Sequence, residues 1–448
     1  MKAVVRFFVS LMQRYLPDAF LFAVILTFVA FAAAWAITDK TFLEVTVGWG
    51  NGLWGILGFT MQMSLVVVTG HAMASSKPIK SFLNTLASIP KDNVGAAMLC
   101  AFVSGIGNWI NWGFGLIIAA LITRALARRI PRLDYGFVLA AGYAGFVIWH
   151  MGLSGSIPLA IASKGHLVEN LIGIVPTTHT IFSMPNLIMS VFIICTVPIL
   201  FKFIAPEDHE IRTVDPALLE DPEEIPEPVN KTPAQKLEYS RLITALFAIM
   251  GLVYLGNHFY TYGVLTLSLN IVIMCFMWLG IILHVTPIAY MRAVQEAIGG
   301  AAGIAVQFPL YGGIQGIMLS TGLAGIIANW FISVSTEVTF PLFTFWAAGL
   351  INIFVPSGGG QWVVQGPINI PAGVALGVSP AKVAMSIAYG DMWTNMIQPF
   401  WALPMLGIAK LGAKDIMGYC VMVLIWVGIV LSLGLLLLPG WAPYVPVS

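Results

Sequence analysis

Charge is what this chain has least of. Only 9% of its 448 residues are Asp, Glu, Lys or Arg, against roughly a quarter in soluble domains. The 21 basic and 20 acidic residues leave a net charge of +1. That balance sets up no field for a phosphate backbone, so nucleic acid is excluded as a partner. Cysteine is scarce too. Cys100, Cys195, Cys275 and Cys420 stand far apart in apolar runs, with no CxxC or metal-ligand spacing, so they read as small core residues. A cleavable signal peptide is not expected. Met1–Arg14 is basic and amphipathic, and the apolar run Phe20–Ile37 behind it is longer than a signal core of about 7–15 residues.

Apolar residues fill the space. They make up 58% of the chain, and the mean hydropathy is +0.89. A soluble enzyme and a disordered chain are both excluded. The apolar runs, such as Leu21–Ile37 and Val423–Leu438, are continuous, whereas a membrane barrel would alternate. The expectation is an all-α polytopic membrane protein.

The basic residues orient it. With the N-terminus in the cytoplasm, one threading puts all but Lys40, Lys164 and Lys382 on the inside, as the positive-inside rule requires. Spanning helices are predicted near 17–37, 51–76, 133–162, 181–204, 241–257, 262–284, 295–320, 383–409 and 415–438. A hairpin near 93–129 enters and leaves on the cytoplasmic side, and a second, near 340–377, opens outside. Lys77–Asp92 and Gly322–Glu337 are too short or too polar to span and fit helices lying along the surface.

Pro206–Ser240 differs in kind. It holds ten of the twenty acidic residues and six prolines, a composition that buries no core and reads as a solvated cytoplasmic linker. The expected divisions are 1–50 (amphipathic segment and first helix), 51–205 (first repeat), 206–240 (linker) and 241–448 (second repeat).

The halves resemble each other. Gln62-Met-Ser-Leu65 has the spacing of Gln307-Phe-Pro-Leu310, and Ser104-Gly-Ile-Gly-Asn-Trp109 that of Ser357-Gly-Gly-Gly-Gln-Trp362. Polar breaks near His150 and Asn395 follow in the same order. In the threading the partner helices 51–76 and 295–320 run in opposite directions. Two inverted repeats result, each with a re-entrant hairpin and a broken helix. That is the build of secondary transporters, whose sites lie near the bilayer midplane.

Irregular backbone at depth must line a protein cavity. The four breaks are predicted at Ser104–Gly107, Trp149–Ser156, Pro356–Gly360 and Gly390–Gln398. Glycine turns bare their N–H groups there and the helices behind them start with positive dipole. The candidate substrate ligands are Ser104, Gly105, Gly107, Asn108, Trp109 and Asn111 in the first tip, with Ser357, Gly358, Gly359, Gly360, Gln361 and Trp362 in the second, and Asn395 in the last break. Gln365 adds a further polar group. Asp391 and His150 are ionisable at depth and are the candidates for ion coupling. His71, His166 and His179 lie near helix ends and read as interfacial, as do Glu296 and Glu337. Neither tip nor break contains Arg, so an anion would be held by neutral donors, which suits a singly charged substrate. Trp109, Trp112, Trp149, Trp362 and Trp393 crowd the same stretches and could wall a small apolar pocket.

The segments G-I-G-N-W-I-N-W-G (105–113), P-S-G-G-G-Q-W-V-V-Q-G-P (356–367) and Y-G-D-M-W-T-N-M-I-Q-P (389–399) resemble the bacterial short-chain fatty acid transporter family (AtoE-like). The likeness spans the chain, linker included. That family is grouped in an ion-transporter superfamily with dicarboxylate and aminobenzoyl-glutamate carriers. The resemblance implies a homodimer in the bacterial cytoplasmic membrane, with a scaffold and a transport domain moving as an elevator. It implies short monocarboxylates such as butyrate or acetoacetate as substrates. The dicarboxylate carriers have Ser-Asn-Thr tips where this chain has Ser104-Gly-Ile-Gly-Asn108 and Ser357-Gly-Gly-Gly-Gln361, so the coupling ion is left open between Na+ and H+.

The expected function is cation-coupled uptake of a short-chain monocarboxylate, with no cofactor beyond the ion. A channel of the same fold is one alternative. An intramembrane serine hydrolase is another, because Gly152-Leu-Ser-Gly155 matches a GxSG string with His166 and His179 downstream as possible bases. Duplication of the whole architecture argues against it.

Overall fold

The computed structural model describes residues 19–55, 57–162, 166, 168–219, 228–264, 269–353 and 358–443. The expected amphipathic segment Met1–Arg14, Lys164, the acidic stretch Glu220–Glu227 and Ser357 lie outside these residues. Among the described residues there are helices and no strand.

The first half comprises α1 (Ala19–Ile37), α2 (Phe42–Gly55), α3 (Leu57–Ala74), α4 (Lys77–Leu86), α5 (Asn93–Ile110), α6 (Trp112–Arg129) and α7 (Tyr135–Ala144). A 3-10 segment, Gly145–Met151, leads from α7 to α8 (Ser156–Ile161), which is followed by the single turn α9 (Glu169–Ile172) and by α10 (Met184–Ile204). Across the linker come α11 (Pro233–Glu238), α12 (Arg241–Tyr262), α13 (Leu269–His284), α14 (Pro287–Ser320), α15 (Leu323–Ile332), α16 (Phe340–Asn352), α17 (Gly358–Ala375) and α18 (Pro380–Thr394). A short 3-10 turn, Asn395–Ile397, leads to α19 (Pro399–Ala409), and α20 (Met417–Leu437) ends the order.

Among the described residues, six stretches are long and apolar enough to cross a membrane: Asn93–Ile110, Tyr135–Ile161, Met184–Ile204, Arg241–Tyr262, Pro287–Ser320 and Met417–Leu437. This is a multi-pass membrane protein.

Local chemistry sets the ends. Asp92 accepts from the Gly95 N–H at 2.7 Å to open α5, and Asp134 from the Phe137 N–H at 2.9 Å to open α7. Arg128 and Arg129 sit in the last turn of α6, where a cation meets the negative end of the dipole. Pro287, Pro380 and Pro399 stand at the starts of their helices, where a missing N–H costs nothing.

Three departures from the sequence expectation stand out. The helix expected over 51–76 starts earlier, at Phe42, and its described parts, α2 and α3, are bent by 42°. The one expected over 295–320 begins at Pro287, because Thr286 and Pro287 form a start signal. The first hairpin turns at Asn111, not at Ser104–Gly107, which stay helical in α5. Glycine permits a bend but does not impose one, and the capping carboxamide of Asn111 decides the place. The two segments expected along the surface do form short helices, α4 and α15. On α4, Leu83 is buried while Phe82 is exposed.

The tightest seam joins α14 to α2. Gly48 and Gly52 on α2 face Gly312 and Gly316 on α14, four residues apart on each side. Small residues at this spacing let membrane helices approach backbone to backbone. A Cβ on Gly52 would stand 2.7 Å from the Gly316 Cα and overlap the Gly312 carbonyl. Around this seam α14 also packs on α1 and α3, and α13 packs on α3. Elsewhere α5, α6, α7 and α10 pack together, and α16 packs on α18. The two sets meet where α3 touches α6 and where α14 touches α19.

The linker is not wholly solvated. Arg212 donates its N–H to the Asp134 carboxylate at 3.1 Å, and its carbonyl accepts from the Tyr135 N–H at 3.1 Å. The Arg128 guanidinium donates to the Leu219 carbonyl, and Leu219 is buried. Burial pushes the Asp134 carboxyl above its ordinary value, while the N–H groups of Phe137 and Arg212 pull it back. An acidic run hides this docking, because main-chain groups and one leucine carry it.

Gly52→Ala forces two backbones apart. It should cost about 1–3 kcal/mol and lower the thermal midpoint of the detergent-purified protein. Gly50→Ala, on the same helix with open space at its Cβ position, should not.

Candidate functional site

Two interrupted helices form the centre. In the first, α7 tightens into the 3-10 segment and the chain extends at Gly152 before α8 starts. The tip of the first hairpin demands that glycine, because a Cβ on Gly152 would stand 2.7 Å from the Trp109 carbonyl carbon and overlap its oxygen. The exposed main-chain groups are then paired across the contact: the Leu153 N–H donates to the Trp109 carbonyl at 2.8 Å, and the Trp112 N–H donates to Ser154 Oγ at 3.1 Å. Asn111 itself is extended and its carboxamide oxygen accepts from the Phe114 N–H at 2.9 Å.

The second helix, α18, runs through Gly390 and Asp391 and breaks at Asn395, inside the expected stretch Gly390–Gln398. Pro399 is the cause, since it holds Gln398 in an extended conformation. The second hairpin contributes the start of α17. A Cβ on Gly358 would stand 2.5 Å from His150 Cε1 and overlap Ser156 Oγ. The first tip and the start of α17 thus bear on one stretch, His150–Ser156.

His150 and Asp391 meet there. Nδ1 lies 2.8 Å from the Asp391 Oδ2, and both side chains have 0% exposure. The other ring nitrogen, Nε2, faces Ser156 Oγ at 2.9 Å and accepts from the Ile157 N–H at 3.1 Å. The Trp149 ring stacks on the imidazole with centroids 4.0 Å apart.

A polar knot ties the breaks together. The Trp149 Nε1–H donates to Asn395 Oδ1 at 2.9 Å, and the Asn395 amide donates to Gln398 Oε1 at 3.0 Å. Tyr143 donates its hydroxyl to the Asn395 carbonyl at 2.8 Å. Asn352, from α16, donates to the Asp391 carbonyl at 2.6 Å and to Thr394 Oγ1 at 2.9 Å, while Gln398 donates back to the Asn352 carbonyl.

Within the first hairpin, Ser104 donates to the Gly142 carbonyl at 2.6 Å, and Asn108 donates to the Ser104 carbonyl at 2.8 Å. Gly107 packs against Gly115 and Ile118, and Gly105 lies at the Gly145 backbone. In the second, Gln361 donates to Gln365 Oε1 at 2.8 Å, and Gly359 has open space around it. Gly360 belongs to the first turn of α17. Several buried polar atoms keep no protein partner: Asn108 Oδ1, Trp109 Nε1, Gln361 Oε1, Trp362 Nε1, Gln365 Nε2, both amide atoms of Asn369, and Asp391 Oδ1. Asn108 corresponds to Gln361 and Trp109 to Trp362 in the repeat alignment, so each half supplies one unpaired carbonyl oxygen and one unpaired indole N–H. Buried groups of this kind cost about 1–3 kcal/mol apiece when unpaired, which makes them candidates for ligand contacts. Among the described residues no three His, Cys, Asp or Glu side chains gather to hold a metal ion.

The aromatic residues divide. Trp112 and Trp149 form a cluster with Phe146 and Trp401, at centroid distances of 5.4–6.2 Å. Trp393 does not join it. Its ring packs on Phe345 at 4.8 Å and its N–H donates to the Leu424 carbonyl at 2.6 Å, so it serves helix packing. His71, in the last turn of α3, is buried because α13 and α6 cover that helix. His166 bonds the Gly173 carbonyl at 2.9 Å, and Ser154 serves the Trp112 N–H, so the hydrolase pairing does not form.

Asn352 and Tyr143 escaped the sequence reading, and Ser156 and Gln398, which bound two of the predicted breaks, were not singled out as site residues. Ser156 was hidden beside the GxSG string. Asn352 is a lone amide in the apolar run Leu350–Phe354, and Gln398 directly precedes a helix-starting proline. Both are visible signals.

The chain matches the family described as short chain fatty acid transporter over residues 1–438. Two relatives carry the name "Putative short-chain fatty acid transporter". The one from Escherichia coli (strain K12) is 44% identical over 434 residues, covering 96% of this chain and 98% of its own. The one from Haemophilus influenzae (strain ATCC 51907 / DSM 11121 / KW20 / Rd) is 44% identical over 439 residues, with the same coverage of 96% and 98%. Among solved structures, the YdaH transporter of Alcanivorax borkumensis overlays with a TM-score of 0.46 at 17% identity, covering 95% of this chain and 100% of that one. MtrF of Neisseria gonorrhoeae, described with a class of antimetabolite efflux pumps, gives 0.45 at 14%, covering 96% and 97%.

Tyr143→Phe removes the hydroxyl that joins the two breaks. It should cost about 1–3 kcal/mol, read as a lower thermal midpoint with unchanged helix content by circular dichroism.

Proposed function

We infer function from one premise: this chain belongs to the short chain fatty acid transporter family. It is a membrane transporter and not an enzyme. We propose that its cargo is a short-chain monocarboxylate, such as butyrate or acetoacetate, taken up together with a cation. The observation that carries this reading is the matched set of buried, unpartnered polar atoms in the two hairpins. Trp109 Nε1, Trp362 Nε1, Gln365 Nε2 and Asn369 Nδ2 are four neutral donors with no protein acceptor. Neutral donors suit one carboxylate, whereas two or three would call for a cationic partner such as Arg. The apolar faces of Trp112, Phe146, Trp149 and Trp401 suit a short alkyl chain.

In this reading Asp391 and His150 form the coupling site. The repeats are inverted, with re-entrant hairpins, and the N-terminus faces the cytoplasm of a bacterial cell. The helices around the α2–α14 seam act as scaffold of a homodimer, and the hairpins with the broken helices move against them as an elevator. The two sets touch through α3 with α6 and α14 with α19, and this is the surface along which they would slide.

Purified protein in liposomes should accumulate radiolabelled butyrate or acetoacetate saturably and against a gradient. A failure with every short acid rejects the cargo. Counterflow should also be seen, and its absence alongside downhill flux would favour a channel. Asp391→Asn should lower gradient-driven accumulation at least a hundredfold, and normal accumulation would remove Asp391 from the coupling role.

A further inference from the structure

His150 sits in a row that the transport reading alone does not require: Ser156 Oγ, the imidazole and the Asp391 carboxylate, joined at 2.9 Å and 2.8 Å. We propose that the coupling ion is a proton, that His150 carries it, and that Ser156 positions the ring for it. Seating of α8 and α17 on the Nε2 edge then keeps the proton out in the conformation described. This rests on the reading of the chain as a cation-coupled transporter.

The tautomer follows from the neighbours. A backbone N–H can only donate, and that of Ile157 points at Nε2 from 3.1 Å. Nε2 therefore presents its lone pair. The ring proton is on Nδ1 and is donated to Asp391 Oδ2. The imidazole is neutral in this arrangement. A second proton on the ring would have to sit on Nε2, donor to donor with the Ile157 N–H; the other place for it in the pair is Asp391 Oδ1, which has no protein partner. Ser156 differs from Ile157 in being able to accept as well as donate. It is the one close neighbour able to receive a bond from a protonated Nε2 once Ile157 has turned away.

Access to that nitrogen is closed by the second hairpin. Gly358 fits so closely over Cε1 and Nε2 that no side chain could replace it without moving α17 or the ring. Protonation of His150 and release of the α17 start are then two sides of one equilibrium, each favouring the other. The charges give the coupling its sense. Asp391 is the acidic group facing His150, and α5, α6, α8, α10 and α17 contain no carboxylate. Tyr143 and Tyr389 are the nearby phenols, engaged with Asn395 and Asn186. With the imidazole neutral and Asp391 ionised, the buried pair is negative and repels a carboxylate. One added proton makes the pair neutral and removes the repulsion, so one proton accompanies one monocarboxylate.

Trp149 reports the event, because a stacked imidazolium quenches indole fluorescence. Protein in liposomes should lose part of its tryptophan emission reversibly on acidification, and His150→Gln should abolish that step. A wild-type protein without the step, or a His150→Gln variant that retains it, overturns the proposal. Ser156→Ala removes the acceptor for the charged ring, so proton affinity should fall about tenfold and the midpoint move down by about one pH unit. Gly358→Ala, by lifting α17, should move it up. If His150→Gln does not fold, these opposed shifts carry the test, and unmoved midpoints in both variants would refute it. Butyrate uptake in the same liposomes separates the two ideas. Titration without uptake removes the transport reading and leaves the proton site. Sodium-driven uptake without titration does the reverse.

Discussion

Hydrocarbon offers nothing to a bare peptide group, and the centre of this protein is arranged around that fact. Each helix that stops inside the membrane leaves main-chain N–H and C=O groups to be met by another element. The break at Gly152 is met by the tip of the first hairpin, through Leu153 with Trp109 and Trp112 with Ser154. The break at Asn395 is met by Tyr143 and Asn352. Neither interruption is stable alone, so the two halves of the chain complete each other. The His150–Asp391 contact joins residues 241 apart in sequence at the point where they do so.

The scarcity of charge makes the few buried polar groups informative. Elsewhere some hydroxyls bond within their own helix, as Thr69 and Ser64 do, and a few polar atoms, such as Ser190 Oγ and Gln307 Oε1, keep no protein partner. In the hairpins they do not all find partners, and the unpartnered ones fall at corresponding places, Asn108 with Gln361 and Trp109 with Trp362. A packing accident would not be expected to repeat across two copies whose surrounding residues differ.

Much of this was legible in the sequence. Continuous apolar runs announced most of the helices, though α14 starts at Pro287 rather than 295 and α2 at Phe42 rather than 51, and ionisable residues in apolar runs singled out His150 and Asp391. What could not be read was set by contacts distant in the chain. The turn at Asn111 depends on a cap, and the glycine run before it drew attention to the wrong turn of helix. The doubled helix Phe42–Gly55 and Leu57–Ala74 shows no polar signal between its parts. The role of Gly48 and Gly52 needs Gly312 and Gly316, more than 250 residues away. Trp393 looked like its fellow indoles and proved to be ordinary packing, because a residue type carries no direction until its helix has a neighbour.

The docked start of the linker has a geometric consequence. The chain is held at Leu219 by Arg128 and is next helical at Pro233, leaving 13 residues between, which is 233 − 219 = 14 Cα–Cα steps. Fully drawn out, a leash of that length reaches about 46–50 Å, more than the roughly 30 Å thickness of the oily slab. A full crossing of one half past the other would therefore not pull the clasp at the Asp134 corner open.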